Sequence, residues 1–159
     1  GSVGRPDILE ATEENFDRVI SVNLRGVWLC MKYEIPQMLK IGRGAIVNAS
    51  ASGGLVGLPN LSPYSASKHG VVGLTQSAAL EYARAGIRVN AVNGGLIETS
   101  SIHHFPDAQT MIAQSVQRTP AGRLGTPEEI ADIVLFLAGT SSRWINGQTI
   151  VADGGFSIV

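Results

Sequence analysis

Residues 45–92 read AIVNASASGGLVGLPNLSPYSASKHGVVGLTQSAALEYARAGIRVNAV. Two short runs, 45–50 and 87–92, are almost continuously apolar, and the stretch between them from Tyr64 to Ala85 carries helical spacing. Gly53, Gly54, Gly57 and Pro59 form a loop between the first run and Pro63, and Gly86 separates the helix from the second run. A strand with one wet face alternates apolar and polar residues. A strand that is apolar throughout is covered on both faces, as in a parallel sheet. A strand–helix–strand unit of this kind predicts an α/β protein with a doubly wound parallel sheet.

Working outward, Thr12 to about Leu39 reads as a helix, with Phe16, Val19, Ile20, Val27 and Met31 at helical spacing. Thr12 is placed to cap it, Glu13 and Glu14 suit the positive end of its dipole, and Pro36 is expected to bend or end it. Residues 96–106 read as irregular and 107–116 as a short helix. Thr126-Pro127-Glu128-Glu129 combines an N-cap threonine, proline at the first helical position and glutamate at the third, which predicts a helix running to about Ala138. Gln148 to Ala152 reads as a last strand. Three strands are few for such a sheet, and the first follows a long helix. The expected arrangement is therefore a single domain over residues 1–159 that represents the C-terminal portion of a larger doubly wound unit, with N-terminal strands missing.

The chain has 159 residues, 44% hydrophobic and 16% charged, and a formal net charge of −1. That balance selects no polyanion and argues against a nucleic-acid or membrane-surface binder. The expected setting is cytoplasmic, since no apolar run approaches the roughly 20 residues that span a bilayer. Cys30 is the only cysteine, which excludes an internal disulfide, and its apolar neighbours predict a buried, inert thiol.

Tyr64 and Lys68 stand one helical turn apart and project from one face. An ammonium near a phenol favours phenolate and would lower the tyrosine pKa, giving an acid/base pair usable near neutrality. A solvated pair at a helix start is the alternative. Chance spacing is disfavoured, because the chain has only three tyrosines and three lysines. Asn23 falls on the apolar stripe of the first helix, where its carboxamide serves either a packing hydrogen bond or a site. Ser50 falls where the first strand ends, at the edge where open α/β sheets hold ligands, and Gly94-Gly95, Ile97 and Thr99 reach the same edge. There is no G-x-S-x-G elbow, which argues against a serine hydrolase. His103 and His104 read as loop surface, with no ligand set for a metal around them.

Asn23-Leu24-Arg25-Gly26, Ile46-Val47-Asn48, Tyr64-Ser65-Ala66-Ser67-Lys68, Arg88-Val89-Asn90-Ala91-Val92 and the stretch from Gly125 through Asn146-Gly147-Gln148 to Asp153-Gly154-Gly155 together resemble the short-chain dehydrogenase/reductase family. The resemblance implies a Rossmann-type sheet and reversible hydride transfer between NAD(P)(H) and a small alcohol or carbonyl substrate. It implies Tyr64 as acid/base, Lys68 holding the nicotinamide ribose and lowering the Tyr64 pKa, and Asn23 anchoring a water in the proton relay. It also implies Gly95, Ile97 and Thr99 lining the nicotinamide end, and a homo-oligomer (dimer or tetramer) packed through the two long helices. Residues 96–118 correspond to the family's variable substrate loop.

Three departures stand out. The family's Gly-rich phosphate turn and its Asn-Asn-Ala-Gly strand are not in this sequence, so the residues that would distinguish NAD from NADP are not readable. The family's catalytic serine position is Ala51; Ser50 and Ser52 flank it as candidate substitutes, although strand alternation points both away from the face of residue 51. Gly94 replaces the usual proline after the second strand. The competing expectation is a truncated or non-catalytic member of the family with a subunit-interaction role. In either case the strand at 45–50 should present an unpaired edge.

Overall fold

A computed structural model describes residues 7–105 and 107–159. The first helical run comprises α1 (Glu13–Ile20), a π-helical turn (Ser21–Arg25) and α2 (Gly26–Ile41). Thr12 caps it as expected, its Oγ1 accepting the Asn15 amide at 3.1 Å. Two expectations for this run are corrected. Of the two outcomes expected at Pro36, an end is not found: the helix continues to Gly42, whose φ of 72° places it in the left-handed region that glycine tolerates. Pro36 costs about 3 kcal/mol in a helix interior, while burying Met31 and Ile35 returns about 1.5–3 kcal/mol each, so the packed face carries the helix through. Cys30 and Phe16 are exposed; Cys30 lies off the inward stripe of Val27, Met31 and Ile35.

Strands β1 (Gly44–Ala51), β2 (Ile87–Gly94) and β3 (Thr149–Ala152) pair in parallel in the order β1-β2-β3, with Ile46 opposite Val89 and Val92 opposite Ile150. Helix α3 (Ser62–Tyr82) connects β1 to β2 and joins α2 in covering one face of the sheet. The core on that face comprises Met31 and Ile35 of α2, Ala78 and Ala79 of α3, and Ile46, Ile87 and Val89 of the strands. Gly70 lies against Leu24, where a Cβ would come within 2.8 Å of its side chain, so the small residues of α3 admit the neighbouring helix.

Helices α4 (Ala108–Arg118) and α5 (Pro127–Ala138) follow. The expected capping box of α5 is present: Thr126 Oγ1 accepts the Glu129 amide at 3.3 Å, and Glu129 Oε2 accepts the Thr126 amide at 2.8 Å. Alternation along β2 turns Arg88 to the face opposite Val89, where its guanidinium donates to the carbonyls of Leu137 and Gly139 at the end of α5. The three strands thus lie between α2–α3 and α5, and among the described residues β1 has no partner on its outer side. No described helix is long and apolar enough to cross a membrane.

Candidate active site

Strands β1 and β2 end in register, Ala51 opposite Gly94, and their C-terminal rim opens into a cavity of about 600 Å³. Ala51, Ser52, Tyr64, Gly95, Ile97 and Thr99 all line it. The sequence separates these residues by up to 48 positions; the parallel register brings them to one edge. Gly95 is required for that approach, since a Cβ there would fall 2.9 Å from Asp153 Cα. The loop beyond it is pinned toward the start of α5: the Glu98 amide donates to the Gly125 carbonyl at 2.8 Å, and the Gly125 amide to the Leu96 carbonyl at 3.1 Å.

Tyr64 enters from the first turn of α3, behind Pro63, and no described protein group hydrogen-bonds its phenol oxygen. Lys68 follows one turn later. Its Nζ donates to the Ala49 carbonyl at 3.1 Å and sits 5.6 Å from the centroid of the Tyr64 ring. Lys68 is not itself part of the cavity lining. The expected lowering of the tyrosine pKa is corrected: burial pushes the Tyr64 phenol up and the Lys68 ammonium down. Both shifts share one cause, since a low-dielectric surround disfavours phenolate and ammonium alike. The cation over the ring does not outweigh that penalty.

Asn23 lies in the π-helical turn and donates from Nδ2 to Ser67 Oγ at 3.2 Å, and Ser67 Oγ donates to the Tyr64 carbonyl at 2.7 Å. The first of its two readings, a packing hydrogen bond, is therefore present, and it ends on the backbone of Tyr64. Ser67, fully buried, is the connecting residue that sequence reasoning missed. Its position three residues after Tyr64 was the available signal.

The two candidate serines separate. Ser50 is buried, donates to the Lys68 carbonyl at 3.0 Å and does not line the cavity. Gly54 permits that contact, since a Cβ there would meet Ser50 Oγ and come 2.9 Å from the Lys68 carbonyl oxygen. Ser52 lines the cavity but donates to the Gly94 carbonyl at 3.3 Å. Between them, Ala51 also lines the cavity. The irregular stretch 96–106 includes a 3₁₀ turn, Ser100–His104, in which His103 Nε2 meets Glu98 Oε1 at 2.6 Å. The sequence reading missed this carboxylate partner five residues away. Among the described residues no group of three or more His, Cys, Asp or Glu side chains could hold a metal.

A cavity at the C-terminal rim of an open parallel sheet is where doubly wound α/β folds hold their ligands, and the class of this one is the short-chain dehydrogenases and reductases. The chain belongs to that class: a family model described as enoyl-(acyl carrier protein) reductase matches residues 1–157. It is 46% identical over 148 residues to a cyclohexanol dehydrogenase of Acinetobacter sp., covering 93% of this chain and 57% of that protein. It is 44% identical over 151 residues to the 3-oxoacyl-(acyl-carrier-protein) reductase FabG of Thermotoga maritima, covering 95% of this chain and 61% of that one. Among solved structures, ElxO with NADP bound superposes with a TM-score of 0.93 at 34% identity, and levodione reductase with 0.92 at 37%. Each covers 100% of this chain and 64% of its own. The chain thus spans about three-fifths of the length of the curated relatives it matches.

Proposed function

We propose that the protein is an oxidoreductase that transfers hydride reversibly between NAD(P)(H) and a small alcohol or carbonyl, with Tyr64 as the acid/base. The observation that carries this reading is Tyr64, whose phenol oxygen has no hydrogen bond among the described residues and which lines the cavity together with Gly95, Ile97 and Thr99. These residues fit the flat nicotinamide end of a dinucleotide: a close-packed glycine, an apolar side chain and a hydroxyl at one rim. Bound there, the nicotinamide supplies or accepts hydride. In reduction Tyr64 donates its proton to the carbonyl oxygen as the carbon gains hydride, and in oxidation it takes that proton back. Burial raises its pKa, so the phenol is protonated at neutral pH, the form that reduction uses, while the same shift makes it a weaker acid. Lys68 supplies positive charge behind the ring, and Asn23, through Ser67, holds the first turn of α3 and anchors the water relay. The relative named cyclohexanol dehydrogenase supports an alcohol as substrate.

A second reading, a non-catalytic family member that serves subunit packing, is favoured by Tyr33 and Leu80, which are 67% and 84% exposed on the two long helices. The two readings separate on NADPH binding. Neither Trp28 nor Trp144 lines the cavity, so the emission of the cofactor is the better probe. A rise at micromolar protein supports the oxidoreductase, and no response up to millimolar supports the packing role. Tyr64→Phe should then lower kcat about 10²- to 10⁴-fold, the range for one acid/base group, with the melting temperature nearly unchanged. Retention of most activity would exclude Tyr64 as the proton donor.

A further inference from the structure

Arg118 is the one charged side chain lining the cavity among the described residues. It ends α4, whereas Tyr64 enters the same space from α3. Apolar side chains, including Leu58, Ile102 and Met111, make up much of the surrounding wall, and Arg118, itself exposed, brings a positive charge to its edge. No described carboxylate pairs with Arg118. Asp153 heads the turn that follows β3, where its two oxygens accept the Gly155 amide at 2.9 Å and the Ser157 amide at 3.0 Å. That turn holds Phe156, whose ring centroid lies 4.7 Å from the Arg118 guanidinium carbon and which also lines the cavity. An arginine seated over an aromatic ring retains its planar donor fork for a partner and is always charged.

We infer that Arg118 selects substrates bearing a carboxylate remote from the reacting carbon, binding that group through its guanidinium fork while the carbonyl lies at Tyr64. The inference rests on the oxidoreductase reading of this cavity and names its substrate class as small oxo- or hydroxy-carboxylates. A planar carboxylate matches two parallel guanidinium donors. A neutral ester of the same shape forfeits the charge-assisted bonds and leaves the cation without a partner.

The test uses the whole protein with levulinate and its longer methyl-ketone acid homologues, each paired with its methyl ester, in the presence of NADPH and NADH. At least one acid should exceed its ester in kcat/KM by about 10- to 100-fold, carried by KM, as expected of a charge-assisted pair. Arg118→Leu should abolish that preference, and Arg118→Lys should restore part of it. Equal handling of acid and ester, or a preference that survives Arg118→Leu, overturns the inference and leaves the oxidoreductase reading intact. Should no carbonyl be turned over, calorimetric binding decides. Acids bound more tightly than esters, with the difference lost in Arg118→Leu, uphold the inference. Absent binding, or binding indifferent to Arg118, overturns it.

Discussion

At position 51 the cavity is lined by an alanine, while the hydroxyls on either side of it donate to the carbonyls of Lys68 and Gly94. Neither serine is free to polarise a substrate carbonyl without giving up its present partner. Ala51→Ser would place a hydroxyl on the cavity face, where one donor aimed at a developing oxyanion is worth about 10²–10³ in rate. The expected outcome is at least a tenfold gain in kcat with little change in stability. An unchanged kcat would mean that Ser52 already does this work. At this scale the spacing of Tyr64 and Lys68 was legible, because four residues along a helix bring two side chains to one face. The direction of their pKa shifts was not legible, because desolvation depends on what covers the pair, and the cover comes from distant segments.

Among the elements, α5 shows how completely a local signal can be read. Its threonine, proline and glutamate produced the capping box at the expected residues. An ion pair adds to it: Arg123 donates to Glu129 at 2.7 Å, and this contact, together with the Thr126 amide, pulls the Glu129 carboxyl down to about 2. A depressed carboxylate stabilises the folded state above its unfolded pKa, and the contribution disappears as pH falls through the folded value. Glu129→Gln keeps the capping acceptor and removes the charge. Its melting temperature should therefore lie below wild type at neutral pH, with the gap closing between about pH 4.5 and 2. A gap independent of pH would assign the effect to the cap alone. The π-helical turn at 21–25 gave no such signal, since the apolar residues on either side continue the helical spacing. Such turns recur at functional sites, and this one carries Asn23.

For the whole molecule, the sheet leaves β1 as an edge among the described residues, and the long helices expose large apolar side chains on their outer faces. Trp28 and Tyr33, with Lys32 4.9 Å from the Trp28 ring centroid, form an aromatic surface on α2, and Leu80 projects from α3. Exposed large apolar side chains on long helices are what an association surface would cover. Sedimentation should find the protein as a dimer or tetramer, and Leu80→Glu should shift it toward monomer, since a carboxylate buried at an apolar contact lacks a partner. A wild-type protein that sediments as a monomer throughout the micromolar range would remove the packing role assigned to α3.

Local chemistry determined the parallel strands, the ends of α5 and the candidate acid/base pair, because propensity, capping and spacing act over a few residues and are written in the order of the chain. Tertiary structure alone decided that Ser50 faces Lys68 rather than the cavity, that Cys30 faces outward and that Pro36 leaves α2 intact. It also brought Arg118 and Phe156 to the cavity that Tyr64 faces. Burial and long-range contact depend on every element that packs around a residue, and no local stretch of sequence contains that information.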